Sequence, residues 1–274
     1  MSDAILTGLA QLHLMSQAQH YVLEDAKERR RSNRELVSLF MNVQRALKPQ
    51  VSLEIGAYEA GFSQNVRKLL PSTAVFAFEA NPHNFEQWRS TIDYQSLNIE
   101  YLNYAVADKR GEIEFHLQKT VAGATVEPGL RNNSIMLRRN ADTTYETVLV
   151  PSISVGDFFN ERGLGGKSAT AWIDVEGAAK HVLSGMDAVL AQFTCILMEV
   201  EDRMYWEGQW HATDVIEFFT KRGFVPIARD FQFQFQYNVI FMPVTALANE
   251  DVLKVLEKHM SFLGRRGRKQ PVTA

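Results

Sequence analysis

The stretch Val51-Ser52-Leu53-Glu54-Ile55-Gly56-Ala57-Tyr58-Glu59-Ala60-Gly61-Phe62-Ser63 decides the fold of this 274-residue chain. The apolar run Val51–Ile55 predicts a buried β-strand. Gly56 and Gly61 lie five positions apart and predict a tight turn, after which a helix is expected to begin near Ser63. A strand, a glycine turn and a helix in this order are typical of the start of a cofactor-binding α/β domain.

Apolar β-rich runs alternate with helical patterns through the rest of the chain. Further strands are predicted at Ala74–Glu79, Glu100–Val106, Glu112–Leu117, Ala171–Val175, Thr194–Val200, Phe224–Arg229 and Asn238–Met242. Helices are predicted at Ser63–Leu70, Asn84–Ile92, Ala178–Met186 and Thr213–Arg222. This alternation predicts an α/β fold with a mostly parallel sheet. The short link Asp230–Tyr237 predicts a hairpin, and therefore one antiparallel edge strand.

Three regions follow from these patterns. Residues 1–48 are predicted to form a helical extension, with Ser32 and Glu35 as a capping box at the start of a helix that Lys48-Pro49 ends. Residues 49–263 form the α/β domain, in which Gln118–Thr147 lacks periodicity and is predicted to be a long loop or insertion. Residues 264–274 are basic and predicted to be a disordered tail.

Composition and charge limit the function classes. A net charge of -3 argues against non-specific nucleic-acid binding. The single cysteine, Cys195, excludes an intrachain disulfide and a cysteine-based zinc site. No secretion leader and no apolar stretch of the roughly 20 residues that a membrane helix needs are found in the sequence. We therefore expect a cytoplasmic protein without a membrane span.

The glycine turn is compatible with three classes of cofactor. A P-loop requires a lysine at the position of Phe62, so the residue that binds phosphate is missing. A dinucleotide fingerprint requires a middle glycine at the position of Tyr58, where the backbone must approach the pyrophosphate. Phe62 therefore argues against a P-loop, and Tyr58 argues against a dinucleotide site.

The third class is S-adenosylmethionine, which carries a sulfonium and an ammonium group but no phosphate. Glu54 and Glu59 flank the turn and would attract a cation. The helix start at Ser63 could donate backbone N–H groups to the methionine carboxylate. Glu79 follows Gly56 by 23 residues and could accept hydrogen bonds from both ribose hydroxyls. A plain strand-turn-helix with surface acids remains the alternative.

A second group of acidic residues follows two later strands. Asp174 and Glu176 occupy alternate positions at the end of one strand, as do Glu199 and Glu201 at the end of the next, so each pair should project to one side. Ligands bind beyond the carboxyl ends of parallel strands. The predicted acidic rim consists of Glu54, Glu79, Asp174, Glu176, Glu199 and Glu201. Such carboxylates could deprotonate a substrate hydroxyl or hold a divalent cation.

An aromatic loop follows the second acidic pair. Tyr205, Trp206 and Trp210 could stack on a sugar, or could be buried as a lid on the core; the sequence leaves both open. His211 at the end of this loop is a candidate base.

Four motifs occur in an informative order between Val51 and Pro243. They are Leu53-Glu54-Ile55-Gly56-Ala57, Phe76-Ala77-Phe78-Glu79-Ala80-Asn81-Pro82, Asn103-Tyr104-Ala105-Val106-Ala107-Asp108 and Ile173-Asp174-Val175-Glu176-Gly177. Together they resemble the FkbM family of methyltransferases. The resemblance implies a class I methyltransferase (Rossmann-like) fold, with a seven-stranded, mostly parallel sheet whose last strand is antiparallel. It also implies S-adenosylmethionine as methyl donor, S-adenosylhomocysteine as product, and O-methylation of a sugar, glycolipid or related natural product.

The resemblance also implies roles for individual residues. Gly56, Ala57, Tyr58 and Gly61 would wrap the methionine part, Glu79 would bind ribose, Ala105 and Val106 would lie near adenine, and Asp174 would face the methyl group. The predicted cofactor set further includes Glu54, Ser63 and Ala80, and the predicted catalytic residues are Asp174, Glu176 and Glu199. The acceptor is expected to be a small molecule or glycan. No metal is assigned, although a divalent ion held by Asp174 with Glu199 or Glu201 is left open.

Two alternative functions and two possible roles of the N-terminal helices remain at this point. The chain could bind the cofactor as a regulatory module without turnover, or could be a nicotinamide-dependent oxidoreductase. The N-terminal helices could form a homodimer contact or cap the acceptor pocket.

Overall fold

A computed structural model describes residues 2–127, 129, 132–140 and 142–267. Its strands are β1 Val51–Ile55, β2 Ala74–Phe78, β3 Ile99–Leu102, β4 Ala105–Val106, β5 Gly111–Val121, β6 Ala124–Thr125, β7 Thr144–Ile153, β8 Ala169–Ile173, β9 Phe193–Glu201, β10 Phe224–Arg229 and β11 Gln236–Pro243. Its α-helices are α1 Asp3–Ser16, α2 Ala26–Leu47, α3 Gly61–Leu69, α4 Pro82–Thr91, α5 Val155–Glu161, α6 Ala179–Met186, α7 Ala212–Thr220, α8 Val244–Leu247 and α9 Glu250–Gly267. None of the helices in the described ranges has the length and apolar character needed to cross a membrane.

The main sheet has seven strands in the order β10-β11-β9-β8-β1-β2-β3. The pairs among β9, β8, β1, β2 and β3 are parallel, while β11 is antiparallel to both of its neighbours. This is the class I methyltransferase arrangement that the resemblance implied. The prediction of an antiparallel edge strand was wrong, because β11 inserts between β9 and β10 and leaves β10 at the edge.

A second sheet was not predicted. It has four strands in the order β4-β7-β5-β6, and β5 pairs with β7 from Gly111 opposite Ser152 to Thr120 opposite Thr144. The two ends of the predicted loop Gln118–Thr147 are therefore strands of this ribbon, and the segment between β6 and β7 connects them. The predicted strand Glu100–Val106 is divided between the two sheets, because the chain turns at Asn103, whose amide donates to the Glu79 carbonyl at 2.8 Å.

The N-terminal helices cover one face of the main sheet. Leu36, Phe40 and Val43 of α2 are almost completely buried, in the same apolar cluster as residues of β2, β9, β10 and β11. Helices α3 and α9 complete this layer, while α5, α6 and α7 cover the opposite face. Residues 1–48 therefore share a core with the sheet.

The capping-box prediction was wrong. Helix α2 begins at Ala26, where the Asp25 carboxylate accepts a hydrogen bond from the Lys27 N–H at 2.8 Å. Ser32 lies within this helix. Its hydroxyl donates to the Arg29 carbonyl at 2.6 Å and accepts from the Phe231 N–H at 2.8 Å. The basic segment Lys27–Arg34 therefore forms the first turns of α2.

Helix α9 was not predicted either. It extends to Gly267, four residues into the predicted tail. Residues 268–274 of that tail lie outside the described residues, and its predicted disorder stays a prediction.

Buried histidines join the N-terminal and C-terminal helices. The rings of His13 and His259 meet edge to face, with centroids 5.7 Å apart. The Gln17 Oε1 accepts from the Arg229 N–H, so the Gln17 amide nitrogen donates to the His13 Nε2 at 3.2 Å. That nitrogen must therefore be unprotonated. Burial is the main cause that lowers the pKa of His13 and the pKa of His259 to about 4. The neighbouring His20 lowers both pKa values further.

This histidine pair predicts a contribution to stability that depends on pH. In the unfolded chain both histidines bind protons below about pH 6.5, whereas in the folded protein they remain neutral until about pH 4. The contribution of His13 to the free energy of unfolding should therefore fall as pH drops from 6.5 towards 4, by on the order of 2 kcal/mol at pH 5. The buried acids Glu54 and Glu79, whose pKa values burial raises to about 7, change the total free energy of unfolding in the opposite direction over this range. The His13 contribution is therefore measured as the difference between wild type and His13→Gln in urea denaturation at pH 7.5 and at pH 5. The free energy of unfolding of His13→Gln relative to wild type should be higher at pH 5 than at pH 7.5, and an equal pH dependence in both proteins would contradict the assignment.

Candidate functional site

A cleft opens at the carboxyl ends of β1, β2, β4 and β8. It encloses about 780 Å³ of space between protein atoms, part of it open to solvent. Its wall includes the predicted residues Gly56, Tyr58, Glu79, Ala80, Ala105, Val106, Asp174 and Glu176, and also Asn81, Asn84, Tyr104, Phe115, Asn133, Ser134 and Ile135. The position of the cleft is typical of a cofactor site in an open parallel sheet.

At Gly56 the turn after β1 meets the turn after β8, and these two turns form adjacent walls of the cleft. Its φ is +82°, and a Cβ atom there would lie 1.8 Å from the Asp174 carbonyl oxygen. The Asp174 N–H in turn donates to the Ile55 carbonyl at 2.9 Å. The position therefore requires glycine for its conformation and for its contact with the end of β8.

Tyr58 adopts a left-handed conformation, with φ +47°. Its N–H donates to a carboxylate oxygen of Glu79 at 2.7 Å, and its carbonyl accepts from the Tyr101 hydroxyl. Its ring packs edge to face on Trp88, with centroids 5.2 Å apart. The bulky side chain that replaces the middle glycine of a dinucleotide turn is thus anchored on α4.

Glu79 and Asn84 form the polar wall opposite the glycine turn. Glu79 accepts from the Tyr58 N–H and from the Asn81 N–H at 2.7 and 2.8 Å, and burial raises its pKa to about 7. The Asn84 side chain also hydrogen-bonds to Glu79. The Asn84 Oδ1 is buried and has no hydrogen-bond partner within the described ranges. An acceptor without a donor at a cleft wall fits a ligand that carries hydroxyl or amino groups.

Four predicted cofactor residues are absent from the cleft wall, namely Glu54, Ala57, Gly61 and Ser63. Glu54 is buried and accepts from the Phe62 and Ser63 N–H groups at 3.3 and 2.7 Å. The amides expected to bind a methionine carboxylate are therefore already paired inside the fold. Burial raises the pKa of Glu54 to about 7, and these hydrogen bonds oppose that rise. The predicted acidic rim consequently lacks Glu54.

Asp174, Glu176 and Glu199 form a compact acidic cluster. Each offers one carboxylate oxygen, and these oxygens all lie within 4.8 Å of one another. Strand alternation does not explain this, because β8 ends at Ile173 and Glu176 lies in a left-handed turn with φ +46°. The Glu199 carboxylate accepts from the Gln236 amide at 2.7 Å.

Protons are retained in this cluster. Burial and then the neighbouring Asp174 raise the pKa of Glu176 to about 8, and the same causes raise the pKa of Glu199 well above its ordinary value. Glu201 is buried beside them with its pKa raised to about 7. Glu176 therefore favours the protonated form at neutral pH, and the pKa of Glu199 is shifted in the same direction. A protonated carboxyl next to a charged one can both donate and accept hydrogen bonds.

The aromatic loop provides a lid. Trp206 is only 1% exposed, and a Cβ atom on Gly177 would lie 2.4 Å from its ring. The Arg138 guanidinium lies over the same ring, 4.6 Å from its centroid. Of the two uses considered for this loop, Trp206 adopts the buried one. His211 begins α7, where its N–H donates to the Asp214 carboxylate at 2.8 Å, and it is not on the cleft wall.

Sequence reasoning missed Asn84 and the segment 133–138. Ser134 ties this segment to the acidic turn, because its hydroxyl donates to the Glu176 carbonyl at 2.7 Å and its carbonyl accepts from the His116 N–H at 2.8 Å. Asn84 could have been found, since it lies at the start of the helix that follows Glu79. The segment 133–138 carries no comparable signal in the sequence.

Comparison with models of protein families identifies the family of this chain. The model of the methyltransferase FkbM domain matches residues 54–226, more than half of the chain. The 2-O-methyltransferase NoeI of Sinorhizobium fredii is 27% identical over 165 residues, which cover 58% of this chain and 66% of that protein. The alignment thus spans slightly less than two thirds of this relative.

Solved structures show more distant similarity. The precorrin-6y C5,15-methyltransferase of Geobacter metallireducens aligns with a TM-score of 0.38 and 13% identity, over 73% of this chain and 86% of that one. TrmK of M. capricolum, solved with S-adenosyl-homocysteine, aligns with a TM-score of 0.37 and 8% identity, over 74% and 67% of the two chains.

The Gly56 contact leads to a stability prediction. Gly56→Ala should lower the free energy of unfolding by about 3 kcal/mol or more, because a left-handed conformation and an overlap with the Asp174 carbonyl add together. Gly166→Ala is the matched control, since Gly166 has φ +75° but no atom within 4 Å of the added methyl group. It should lose only about 1 kcal/mol in the same urea titration. Equal losses would show that the contact with Asp174 contributes nothing.

Proposed function

The chain belongs to the FkbM methyltransferase family, and we propose that it transfers a methyl group from S-adenosylmethionine to a hydroxyl of a sugar or related acceptor. The observation that carries this proposal is the cleft that joins the Gly56 turn and Glu79 to the acidic cluster. The name of the relative, a 2-O-methyltransferase, supports a hydroxyl as the acceptor group.

The residues of the cleft fit the cofactor. Glu79 retains free lone pairs beside its two backbone donors, and the unpartnered Asn84 Oδ1 lies at the same wall, so that both can accept from ribose hydroxyls or an adenine amino group. Ala105, Val106 and Phe115 supply an apolar surface for a base. Nothing at this wall requires a phosphate. The bound cofactor supplies an electrophilic methyl group.

The acidic cluster serves the acceptor. Asp174 lies at the junction of the two walls and accepts the proton of the acceptor hydroxyl as the oxygen becomes nucleophilic. Glu176 and Glu199, in their protonated forms, donate hydrogen bonds that fix the acceptor oxygen or the Asp174 carboxylate. The Gln236 amide fixes Glu199 in turn. The principal contribution of these residues is to hold acceptor and donor in line.

A divalent cation is a second use of the same carboxylates. Asp174, Glu176 and Glu199 offer the hard oxygen ligands that magnesium and calcium prefer. Turnover measured with and without chelator separates the two uses. Full activity in the presence of chelator would remove the metal from this proposal.

Three further statements stay predictions. They are a cytoplasmic location, the lack of nucleic-acid binding and a homodimer through the N-terminal helices. A cofactor-binding module without turnover differs from the enzyme in one result: it would bind S-adenosylhomocysteine but form no methylated product. Calorimetry with this ligand and with NADH distinguishes both from an oxidoreductase.

Asn84 gives a test of the cofactor wall. Asn84→Ala should weaken S-adenosylhomocysteine binding about tenfold in titration calorimetry, because a buried acceptor that pairs only with the ligand is lost. Asn160→Ala, at an exposed position of α5, is the control and should bind normally. Unchanged affinity in Asn84→Ala would place the ribose and the base elsewhere.

Asp174 gives a test of the acceptor side. Asp174→Asn should lower the rate of labelled methyl transfer to a panel of free sugars about 100-fold, while affinity for S-adenosylhomocysteine changes far less. Glu207→Gln removes an exposed acid from the neighbouring loop and should leave the rate unchanged. A rate loss matched by an equal loss of cofactor affinity would contradict the role as proton acceptor.

A further inference from the structure

A second groove lies at the same edge of the sheet as the cleft. The loop 230–235 joins β10 to β11, and because β11 is antiparallel to β9 and β10, this loop lies at the carboxyl ends of the parallel strands. The Phe235 carbonyl accepts from the Asp202 N–H at 2.8 Å, and Gln236 at the start of β11 holds Glu199. The loop is thus continuous with the acidic cluster.

We propose that this groove binds the sugar units adjoining the acceptor sugar of an uncharged oligosaccharide; this inference rests on the proposed function. The groove encloses about 1130 Å³ of space, much of it open, between the loop and the turn that precedes α2. It is lined by Leu23, Glu24, Arg29, Arg229, Phe231, Gln232, Phe233 and Gln234.

The loop alternates aromatic and amide side chains. Phe233 is 57% exposed, which is unusual for a phenylalanine, and no ring contact of Phe233 occurs within the described part of the chain. Gln232 and Gln234 flank it, and their side-chain amides bond to no protein group among the described residues. An aromatic face covers the C–H face of a sugar, and amides donate to and accept from its hydroxyls. These are the two interactions that an oligosaccharide requires.

Both walls of the groove are fixed before any ligand binds. Arg29 donates to the Leu23 and Glu24 carbonyls at 2.8 and 3.2 Å, which holds the turn before α2. Asn33 donates to the buried Asp230 at 2.7 Å, and Phe231 packs on Tyr21 with centroids 5.6 Å apart. A rigid groove loses little entropy on binding. The helical extension therefore supplies one wall of an acceptor site.

The charged groups of the groove are largely engaged by the protein itself. The Arg29 guanidinium donates to backbone carbonyls, and the Arg229 guanidinium stacks on Tyr237, 3.4 Å from the ring centroid. The Glu24 carboxylate is exposed beside them and offsets one of the two positive charges. The loop therefore offers a ligand its ring and its amides more than a concentrated charge. A polyanion, such as a nucleic acid, would find few free positive groups here.

The test measures binding to a printed array of neutral and acidic oligosaccharides and monosaccharides, with S-adenosylhomocysteine present. Phe233→Ala should weaken binding to neutral oligosaccharides about tenfold, with a loss that grows with chain length, because the stacking surface is removed. Leu149→Ala is the control, since Leu149 is 65% exposed on the second sheet, and it should bind like the wild type. Calorimetry should show the same cofactor affinity in all three proteins.

Methyl transfer on the same array separates this inference from the proposed function. If wild type methylates the glycans and Phe233→Ala does so equally at every chain length, the groove is not an acceptor site although the enzyme proposal stands. If Phe233→Ala loses glycan binding but wild type methylates none of the glycans, the groove stands and the enzyme proposal fails. Binding of acidic glycans alone, or of none, overturns the inference.

Discussion

The close approach of Gly56 to the end of β8 is the constraint on which the site depends. The glycine turn and the Asp174 backbone meet at a distance that leaves no room for a side chain. This contact brings the β1–α3 turn, with the Glu79 wall behind it, next to the turn that carries Asp174 and Glu176. One cleft therefore presents a polar wall and an acidic cluster that belong to strands more than 90 residues apart in sequence.

Burial of acids at this edge is tolerated because backbone amides accompany them. Glu54 binds the first amides of α3, and Glu79 binds those of Tyr58 and Asn81. Each carboxylate thus replaces water by fixed donors, which limits the cost of burial. In the acidic cluster the repulsion from the neighbouring Asp174 adds to burial in raising the pKa values of Glu176 and Glu199. The contrast divides the acids into those that backbone amides hold in place and those that lie against one another at the cleft.

The sequence predicted the main sheet because its strands are buried on both faces and appear as continuous apolar runs. The ribbon β5–β7 is exposed along much of its length, as at Leu149, so it leaves no such run. The position of β11 between β9 and β10 depends on which strands it pairs with, and the local sequence pattern of β11 does not indicate those partners. In the site, sequence motifs predicted Gly56, Glu79 and Asp174. Asn84 was not predicted, because its importance lies in a buried side-chain oxygen without a partner. The prediction for Glu54 was wrong, because the geometry of the turn directs its carboxylate to the amides of α3.

The attachment of α2 to the last strands has a consequence for how the chain folds. Ser32 and Asn33 bond to Phe231 and Asp230, across 199 and 197 residues of sequence. During synthesis the apolar face of α2 emerges first, and its partners in β10 and β11 emerge almost last. Contacts of such long range slow folding and leave apolar surface exposed meanwhile. The nascent chain therefore exposes the apolar face of α2 until β10 and β11 have been synthesised and have packed against it.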